Sequence, residues 1–458
     1  MIGLIFDAFI GLLAIFIGYA TAVYPLKRRI NTLRGLHRIA FWAWILRVGG
    51  AFFTYYFYLL YYGGGDVIHY IGDSISLAQS FSLRPWQTIE YLLYSTLHRS
   101  YTDYFNTSPE FLSFWVNNGI SLTYTPDYAS QTVGILTFPF ALAALGSVNG
   151  VIALFSTYSF YGSFRFYLAL HKIYPTSWEK TAIPILFLPS VLSWIALPFK
   201  ESFALLFVLY GMRKLFLEQA TILDKIGALV LLYFSYAVKP YILISLIPIF
   251  GLLTVQHVGE KFKSSIFSYI LYLMTIPIVL GLTLYILSLA AEASRKYSFE
   301  NILQQAYIVK LDLTRNESYY VETGGSVYDI GDFEPSIPGI LSKFPIAFYT
   351  GLLRPFIWEA KKGAILLAAL ETTALLIITL YGLFRHGIGL VLKQIIAHKW
   401  SRLLMIFAIF FIFMMGLTSG NFGNLVRYRV PGVLFFYTVL FATYGKLATE
   451  ATDSRRRE

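Results

Sequence analysis

Apolar runs long enough to cross a lipid bilayer recur along this 458-residue chain, and they restrict its fold to one class. A helix needs about 20 predominantly apolar residues to span the hydrocarbon core of a membrane. Hydrophobic residues make up 57% of the sequence and charged residues 13%, whereas a soluble domain carries about 25% charged residues. The sequence therefore predicts an all-α polytopic membrane protein.

The apolar runs predict about 11 transmembrane helices, with a range of roughly 10 to 13. They are residues 2–24, 39–62, 148–171, 181–198, 202–217, 226–238, 241–257, 265–290, 364–384, 403–420 and 431–446. Residues 131–146 are apolar but short and contain Pro139, so we place them as an interfacial or re-entrant helix. Interruptions at Lys200-Glu201 and at Lys239-Pro240 predict either pairs of short helices that meet at one surface or long broken helices.

The distribution of charge predicts the orientation. Residues 25–38 hold five Lys and Arg residues and no acid, whereas residues 63–130 hold two Arg against six acids. The positive-inside rule places 25–38 in the cytoplasm and 63–130 outside. The N-terminus is then outside and the basic tail, residues 448–458, is cytoplasmic. Without cysteines the chain has neither disulfides nor a thiolate metal site, and no motif for binding nucleic acid is present.

Two long outer segments belong to what we predict to be a single membrane domain, residues 1–458. Aromatic and aliphatic residues recur at near-helical spacing in 63–130, which predicts amphipathic helices lying on the membrane. Residues 291–362 are more polar and contain glycine and proline turn signals, which predict an outer loop or lid.

The segment that follows the run 39–62 contains the first candidate site. Three glycines, residues 63–65, let the backbone turn sharply and approach a ligand closely. Asp66, His69, Tyr70 and Asp73 follow at once, and charged groups at a membrane are expensive unless they have a function. Asp66 as a simple helix cap and His69 as a structural side chain are the alternative interpretations.

Cations are concentrated in the short outer turns, where the positive-inside rule predicts few of them. Lys200, Lys239, Arg427 and Arg429 lie there, and Arg354 lies in the sequence LLRPFIWEAKK. Clustered cations at one face indicate an anionic ligand, of which phosphate is the obvious one.

Each of these cations also has a structural interpretation. Lys200 and Glu201 could form a self-contained ion pair, and Lys239 could snorkel to lipid headgroups. Arg427 and Arg429 could anchor the chain at the interface. If that segment is extended, the two arginines point the same way, as a clamp requires.

Together these features resemble the GT-C class of integral membrane glycosyltransferases, of the kind found in bacterial envelope polysaccharide synthesis. Four stretches carry the resemblance, and it extends from about residue 40 onward. They are Gly65-Asp66-Val-Ile-His69-Tyr70-Ile-Gly72, the stretch from Pro189 through Trp194 to Lys200-Glu201, Leu353-Arg354-Pro-Phe-Ile-Trp358-Glu359, and Asn424-Leu-Val-Arg427-Tyr428-Arg429-Val-Pro431.

The resemblance implies transfer of a sugar from a polyprenyl-phosphate donor to a lipid or glycan acceptor, with inversion, at the periplasmic face of the bacterial inner membrane. Asp66 would be the catalytic base. A divalent metal, Mg or Mn, or the acceptor would be held by Asp73, His69 and Glu201. The leaving phosphate would be bound by Lys200, Lys239, Arg354, Arg427 and Arg429. The sugar would be contacted by Tyr70, Trp194, Trp358, Glu359 and Tyr428. Membrane lipids and other envelope-biosynthesis proteins are the further partners that the resemblance implies.

Two alternatives remain open at this point. A polysaccharide polymerase or ligase that uses diphosphate-linked glycans needs the same cations, although Asp66 and Asp73 argue modestly against it. A transporter of lipid-linked saccharides fits the broken helices. Against a transporter, the sequence shows no internal repeat, and the candidate charges cluster at one face.

Overall fold

A computed structural model of the protein describes residues 2–29, 36–98, 100, 102–123, 128–259, 307–308 and 327–457. Within these ranges every regular element is helical, as predicted, and β-structure is limited to one isolated bridge between Val327 and Asn421. The α-helices are α1 Ile2–Gly18, α2 Tyr24–Arg29, α3 Leu36–Tyr61, α4 Asp66–Leu83, α5 Pro85–His98, α6 Asp103–Thr107, α7 Pro109–Asn117, α8 Tyr128–Ala143, α9 Val148–Ala169, α10 Pro189–Trp194, α11 Lys200–Met212, α12 Ile222–Val238, α13 Pro240–Gly259, α14 Ile337–Ser342, α15 Phe344–Leu353, α16 Gly363–His386, α17 Ile388–Ala397, α18 Lys399–Thr418, α19 Phe422–Tyr428 and α20 Val430–Arg457.

Among the described residues, four helices are long and apolar enough to cross a membrane: Gly3–Leu26, Gly363–His386, Lys399–Thr418 and Val430–Asp453. A fifth is added if α8 and the helix that follows it, bent by 108°, form one span. The protein therefore has the helices of a membrane protein, although the predicted number of about 11 spans is not reached by this measure. The predicted span 265–290 lies outside the described residues.

The bend between α8 and α9 agrees with the interfacial or re-entrant helix predicted at 131–146. Leu145, with φ 51°, and Gly146, with φ 74°, form the turn between the two helices. A bend of 108° is the geometry of a broken span or of a re-entrant hairpin.

The predicted continuous span 181–198 is wrong. A π-helical turn, Ile183–Phe187, ends at Leu188, whose backbone is extended, and the short helix α10 follows. Proline removes a backbone donor and drives the preceding residue out of the helical region. Because Pro184, Pro189 and Pro198 interrupt this run, it cannot form one continuous helix.

The chain divides into two compact units where one membrane domain was predicted. The first unit comprises Met1–Phe166, Val191–Gly211 and Thr221–Lys239, and the second comprises Tyr167–Ser190, Met212–Ala220 and Pro240–Glu458. In the first unit, α4 packs along α8, and α12 packs against α8 as well.

The segment predicted to lie on the membrane, 63–130, contains α4 to α7. Its helices are joined by an aromatic cluster that includes Tyr91, Tyr104, Phe111 and Trp115. On the opposite side, α5 exposes apolar side chains on one face, including Trp86 at 81% exposure. One buried and one exposed apolar face is the pattern that an interfacial helix needs.

In the second unit, α15 packs closely against α18. A Cβ at Gly351 would overlap the carbonyl oxygen of Ile412, and one at Gly416 would overlap that of Ala347. This close approach makes α15 an integral helix of the second unit, within the segment 291–362 that was predicted to be an outer loop or lid. Residues 291–306 and 309–326 of that lid lie outside the described residues.

Candidate functional site

The glycine turn predicted after the second apolar run is present. α3 ends at Tyr61, Gly63 and Gly65 have φ values of 69° and 144°, and Asp66 is the first residue of α4. A Cβ at Gly65 would lie 2.5 Å from the Tyr58 ring. Positive φ and the close ring both require glycine here. The turn places the partly exposed carboxylate of Asp66 at a helix N-terminus, where negative charge is stabilised.

Asp66, His69, Tyr70 and Asp73 lie on one face of α4, because they are spaced three and four residues apart. Tyr70 is only 1% exposed, and its hydroxyl lies 3.4 Å from Ser130 Oγ. It packs within a hydrophobic cluster that includes residues of α9, α11 and α12. Tyr70 is therefore a core residue with almost no exposed surface, and its contact with a sugar stays a prediction.

Asp73 lies on α4, and its buried side chain contacts the segment that precedes α8. Its Oδ1 accepts a hydrogen bond of 2.8 Å from the backbone N–H of Thr123, whereas its Oδ2 makes no hydrogen bond in the described part of the chain. Burial raises the pKa of Asp73, opposed mainly by hydrogen bonds from Thr123.

The structure shows no ready-made cage for the predicted divalent metal. Within the described ranges, no three His, Asp or Glu side chains gather closely enough to hold a metal ion. Asp66, His69 and Asp73 therefore do not form a three-ligand site with one another.

A non-helical segment, residues 195–199, links α10 to α11, and side chains from three helices bind the carbonyl groups around it. Arg47 donates to Val191 O at 3.0 Å, and Ser159 donates to Ile195 O at 2.6 Å. The Ser202 hydroxyl is 2.6 Å from the carbonyl oxygens of residues 194 and 197. Irregular backbone within a membrane protein persists where the protein itself supplies such partners.

This segment lies against the start of α4. Val67 and Ile71 of α4 belong to the same hydrophobic cluster as residues 196, 197 and 199. The Tyr58 ring, next to the glycine turn, lies 6.2 Å from Trp194 and 6.1 Å from Phe199 between ring centroids. The structure therefore brings the Asp66 end of α4 and the residues preceding Lys200 together in the first unit.

The two predicted helix interruptions also meet. Lys239 Nζ lies 2.9 Å from Glu201 Oε1, and Glu201 is 2% exposed. Ser235 Oγ donates to Ala204 O at 3.1 Å, which joins α12 to α11 one turn away. Glu201 thus pairs with Lys239, a partner that the sequence interpretation did not include. Lys200 is partly exposed at the first position of α11.

In the second unit, Arg354 and Glu359 pair directly. Arg354 donates through Nε, at 2.8 Å, and through Nη2 to Glu359 Oε1. The guanidinium carbon of Arg354 lies 5.4 Å from the Tyr328 ring centroid and 5.0 Å from that of Phe422. Glu359 Oε2 also accepts from the N–H of Phe356 at 2.8 Å. Arg354 and Glu359 are thereby oriented by each other.

The segment that holds Arg427 and Arg429 is not extended, as an arginine clamp would require. Arg427 lies in α19 and Arg429 follows that helix, so residues two apart do not face the same way. Arg429 Nη1 donates to Gly351 O at 2.9 Å and to Arg354 O, and Nη2 donates to Thr372 Oγ1 at 3.0 Å. Arg429 therefore binds the carbonyl groups at the end of α15, where a cation is favourable. Arg427 is buried, with its guanidinium carbon 5.7 Å from the Tyr428 ring centroid.

The aromatic residues predicted to contact the sugar differ in how much of their side chain is exposed. Trp358 is 80% exposed and stacks on Phe356, with ring centroids 4.7 Å apart and planes at 11°. Trp194 and Tyr428 are partly exposed. Trp358 therefore presents the largest free face among them for stacking against a sugar or lipid.

Sequence reasoning missed two acids inside apolar runs. Glu371 of α16 accepts hydrogen bonds of 2.7 Å from the backbone N–H and from the hydroxyl of Ser190. Asp7 of α1 accepts from Ser147 Oγ and Asn149 Nδ2, each at 2.6 Å. The signal was available, since a carboxylate within a predicted span is expensive and requires a partner.

Comparison with models of protein families, with curated proteins and with solved structures finds no match to the chain.

Proposed function

We propose that this protein is a membrane glycosyltransferase that moves a sugar from a polyprenyl-phosphate donor to an acceptor hydroxyl, with Asp66 as the catalytic base. The observation that carries the proposal is the packing of the start of α4 against residues 196–199, directly before Lys200. This packing gathers a partly exposed carboxylate and a partly exposed ammonium group at one end of the first unit.

The proposed reaction needs both groups. The acceptor hydroxyl gives its proton to the Asp66 carboxylate as its oxygen forms a bond to the anomeric carbon. The bond from that carbon to the phosphate oxygen breaks, and its electron pair leaves with the polyprenyl phosphate. Attack opposite the leaving group inverts the anomeric configuration. Lys200 stabilises the charge that develops on the departing phosphate.

The Glu201–Lys239 pair supports a different role for these two residues from the one implied by the resemblance. Lys239 already has a carboxylate partner at 2.9 Å, so its charge is largely balanced within the protein. In the proposal Lys239 and Glu201 position the start of α11, and with it Lys200. Phosphate binding by Arg354, Arg427 and Arg429, which belong to the second unit, stays a prediction of the resemblance, and the proposed reaction assigns them no step.

A transfer assay in nanodiscs tests the proposal. Polyprenyl-phosphate sugars and diphosphate-linked oligosaccharides are offered with candidate lipid and glycan acceptors to the wild type and to Asp66→Asn. Asp103→Asn is the matched control, since Asp103 is an exposed acid at the start of α6 in the same outer segment. Each protein is also assayed with EDTA.

We expect transfer from the polyprenyl-phosphate donor that falls by at least about a hundredfold in Asp66→Asn, the usual contribution of a general base, and that is unchanged in Asp103→Asn. Full activity in a folded Asp66→Asn protein would contradict the base role. Turnover of diphosphate-linked glycans alone would identify a polymerase or ligase. Movement of a lipid-linked saccharide across the bilayer without transfer would identify a transporter.

A further inference from the structure

Helix α17, residues Ile388–Ala397, joins two helices that are long and apolar enough to cross a membrane, α16 and α18. Ten residues of helix extend about 15 Å, half the thickness of the hydrocarbon core. α17 begins after Gly387, whose φ is 79°, and ends at His398, whose backbone is extended. The backbone leaves the helical conformation at each end, so α17 is a separate short helix between α16 and α18.

α17 has two apolar faces, and the described part of the chain covers one of them. Val391 and Ile395 are buried against the second unit. Ile388, Leu392 and Ile396, four residues apart on the adjoining face, are 62%, 51% and 59% exposed. Large apolar side chains exposed in a row on one helix face mark a surface that meets an apolar phase or a partner.

The charges beside this face are all positive. Lys393 is exposed on α17 and Arg385 is exposed in the last turn of α16. The stretch 372–449 contains no Asp or Glu. Arg402 of α18 donates to Ile396 O at 2.8 Å, and Arg385 donates through Nη1 to the Tyr381 hydroxyl at 3.0 Å. Neither acceptor is an acid, so neither bond balances the positive charge of the arginine.

We propose that α17 lies in the membrane interface and that Lys393 and Arg385 bind the anionic headgroups of phospholipids. An exposed apolar row flanked by basic residues is the pattern of an interfacial helix that prefers anionic lipid. A symmetric contact with a second copy of the chain would instead bring these like charges towards one another. This inference does not depend on the proposed enzymatic activity.

Lipid binding by the full-length protein tests this inference. The protein in mild detergent is titrated with phosphatidylglycerol and, separately, with phosphatidylcholine, and the bound lipids are counted by native mass spectrometry. The variants are Lys393→Gln, Arg385→Gln and the matched control Lys225→Gln, which removes an exposed lysine of α12. The melting temperature of each variant confirms that it is folded.

We expect Lys393→Gln and Arg385→Gln each to weaken phosphatidylglycerol binding roughly fivefold, the change that corresponds to about 1 kcal/mol per basic residue at an anionic surface. Phosphatidylcholine binding and the Lys225→Gln protein should be unchanged. Equal phosphatidylglycerol binding by wild type and both α17-face variants would overturn the proposal. So would conversion of a dimer to a monomer by Leu392→Ser with lipid binding unaltered, because a second copy would then occupy this face.

Discussion

Glu201, at the start of α11, and Lys239, directly after α12, form an ion pair of 2.9 Å in which the carboxylate is almost fully buried. Each residue stands where an apolar run of the sequence is interrupted. The pair therefore joins the beginning of one helix to the end of the next and stabilises that end of the first unit.

Removal of the carboxylate should destabilise the protein strongly. Glu201→Gln leaves the largely buried ammonium group of Lys239 without its counter-charge, which typically costs about 3 kcal/mol or more. Lys200→Gln, one residue away but partly exposed, should cost much less. Melting temperatures in one detergent compare the two variants, and equal losses would argue against a special role for the Glu201–Lys239 pair.

The glycine turn before α4 should not tolerate a side chain. Gly65→Ala puts a Cβ at positive φ, 2.5 Å from the Tyr58 ring, and the backbone strain alone costs about 1 to 2 kcal/mol. Gly72→Ala is the control, because Gly72 is exposed within α4 and an added Cβ meets nothing within 4 Å. In a helix interior that change stabilises by about 0.5 to 1 kcal/mol. A thermal melt that ranks the two variants alike would contradict this account of the turn.

The buried carboxyl of Asp73 should make stability depend on pH in a defined direction. Burial raises the pKa of Asp73 above its ordinary value of 3.8, so the folded protein holds this proton more tightly than the unfolded chain does. Its stabilising contribution is complete below the ordinary pKa and is lost as the pH rises through the raised value. The ionised form of Asp73 therefore opposes folding.

Asp73→Asn removes this ionisation and keeps an oxygen for the Thr123 N–H. Relative to wild type, the variant should gain stability between about pH 3 and pH 7. Asp103→Asn, at an exposed acid, should show no such trend. Melting curves of the two variants across that pH range measure their stability relative to wild type. If the stability gained by Asp73→Asn shrinks as the pH rises, burial does not raise the pKa of Asp73.

Replacement by lysine should destabilise the protein more at Arg429 than at Arg402. Its two terminal nitrogens bind two carbonyl groups and the Thr372 hydroxyl, which a single ammonium group cannot reproduce. Arg429→Lys should cost about 2 kcal/mol, the scale of a hydrogen bond to a charged group. Arg402→Lys is the comparison, because Arg402 donates to one carbonyl group near α17. Unfolding monitored by tryptophan fluorescence measures the stability of the two variants. Similar losses of stability would count against this role for Arg429.

The helices and the turn before α4 could be predicted because local rules determine them. The length of an apolar run indicates a helix, and three consecutive glycines indicate backbone that other residues rarely adopt. The interruption of the helix within 181–198 could also be predicted from local sequence, since its prolines are visible there. Total hydrophobicity alone predicts one span there, and that prediction is wrong because the prolines interrupt the helix.

The partners of the charged residues could not be predicted in the same way. Glu201 is preceded by Lys200, and nothing in the sequence favours the distant Lys239 over that neighbour. For Arg427 and Arg429 a local signal was overlooked. The Asn421 side chain accepts from the Asn424 N–H at 2.8 Å and begins α19, and asparagine is a favoured residue at that position. A helix there excludes the extended clamp.

The dependence of residues 191–199 on Arg47, Ser159 and Ser202 has a consequence for how the chain is assembled. These donors belong to α3, α9 and α11, so the carbonyl groups of this segment find their partners only after all three helices are in place. Unpaired carbonyl groups are costly inside a bilayer. We therefore expect this segment to reach its final structure only after two helices that precede it in the sequence and one that follows it, and thus out of the order of synthesis.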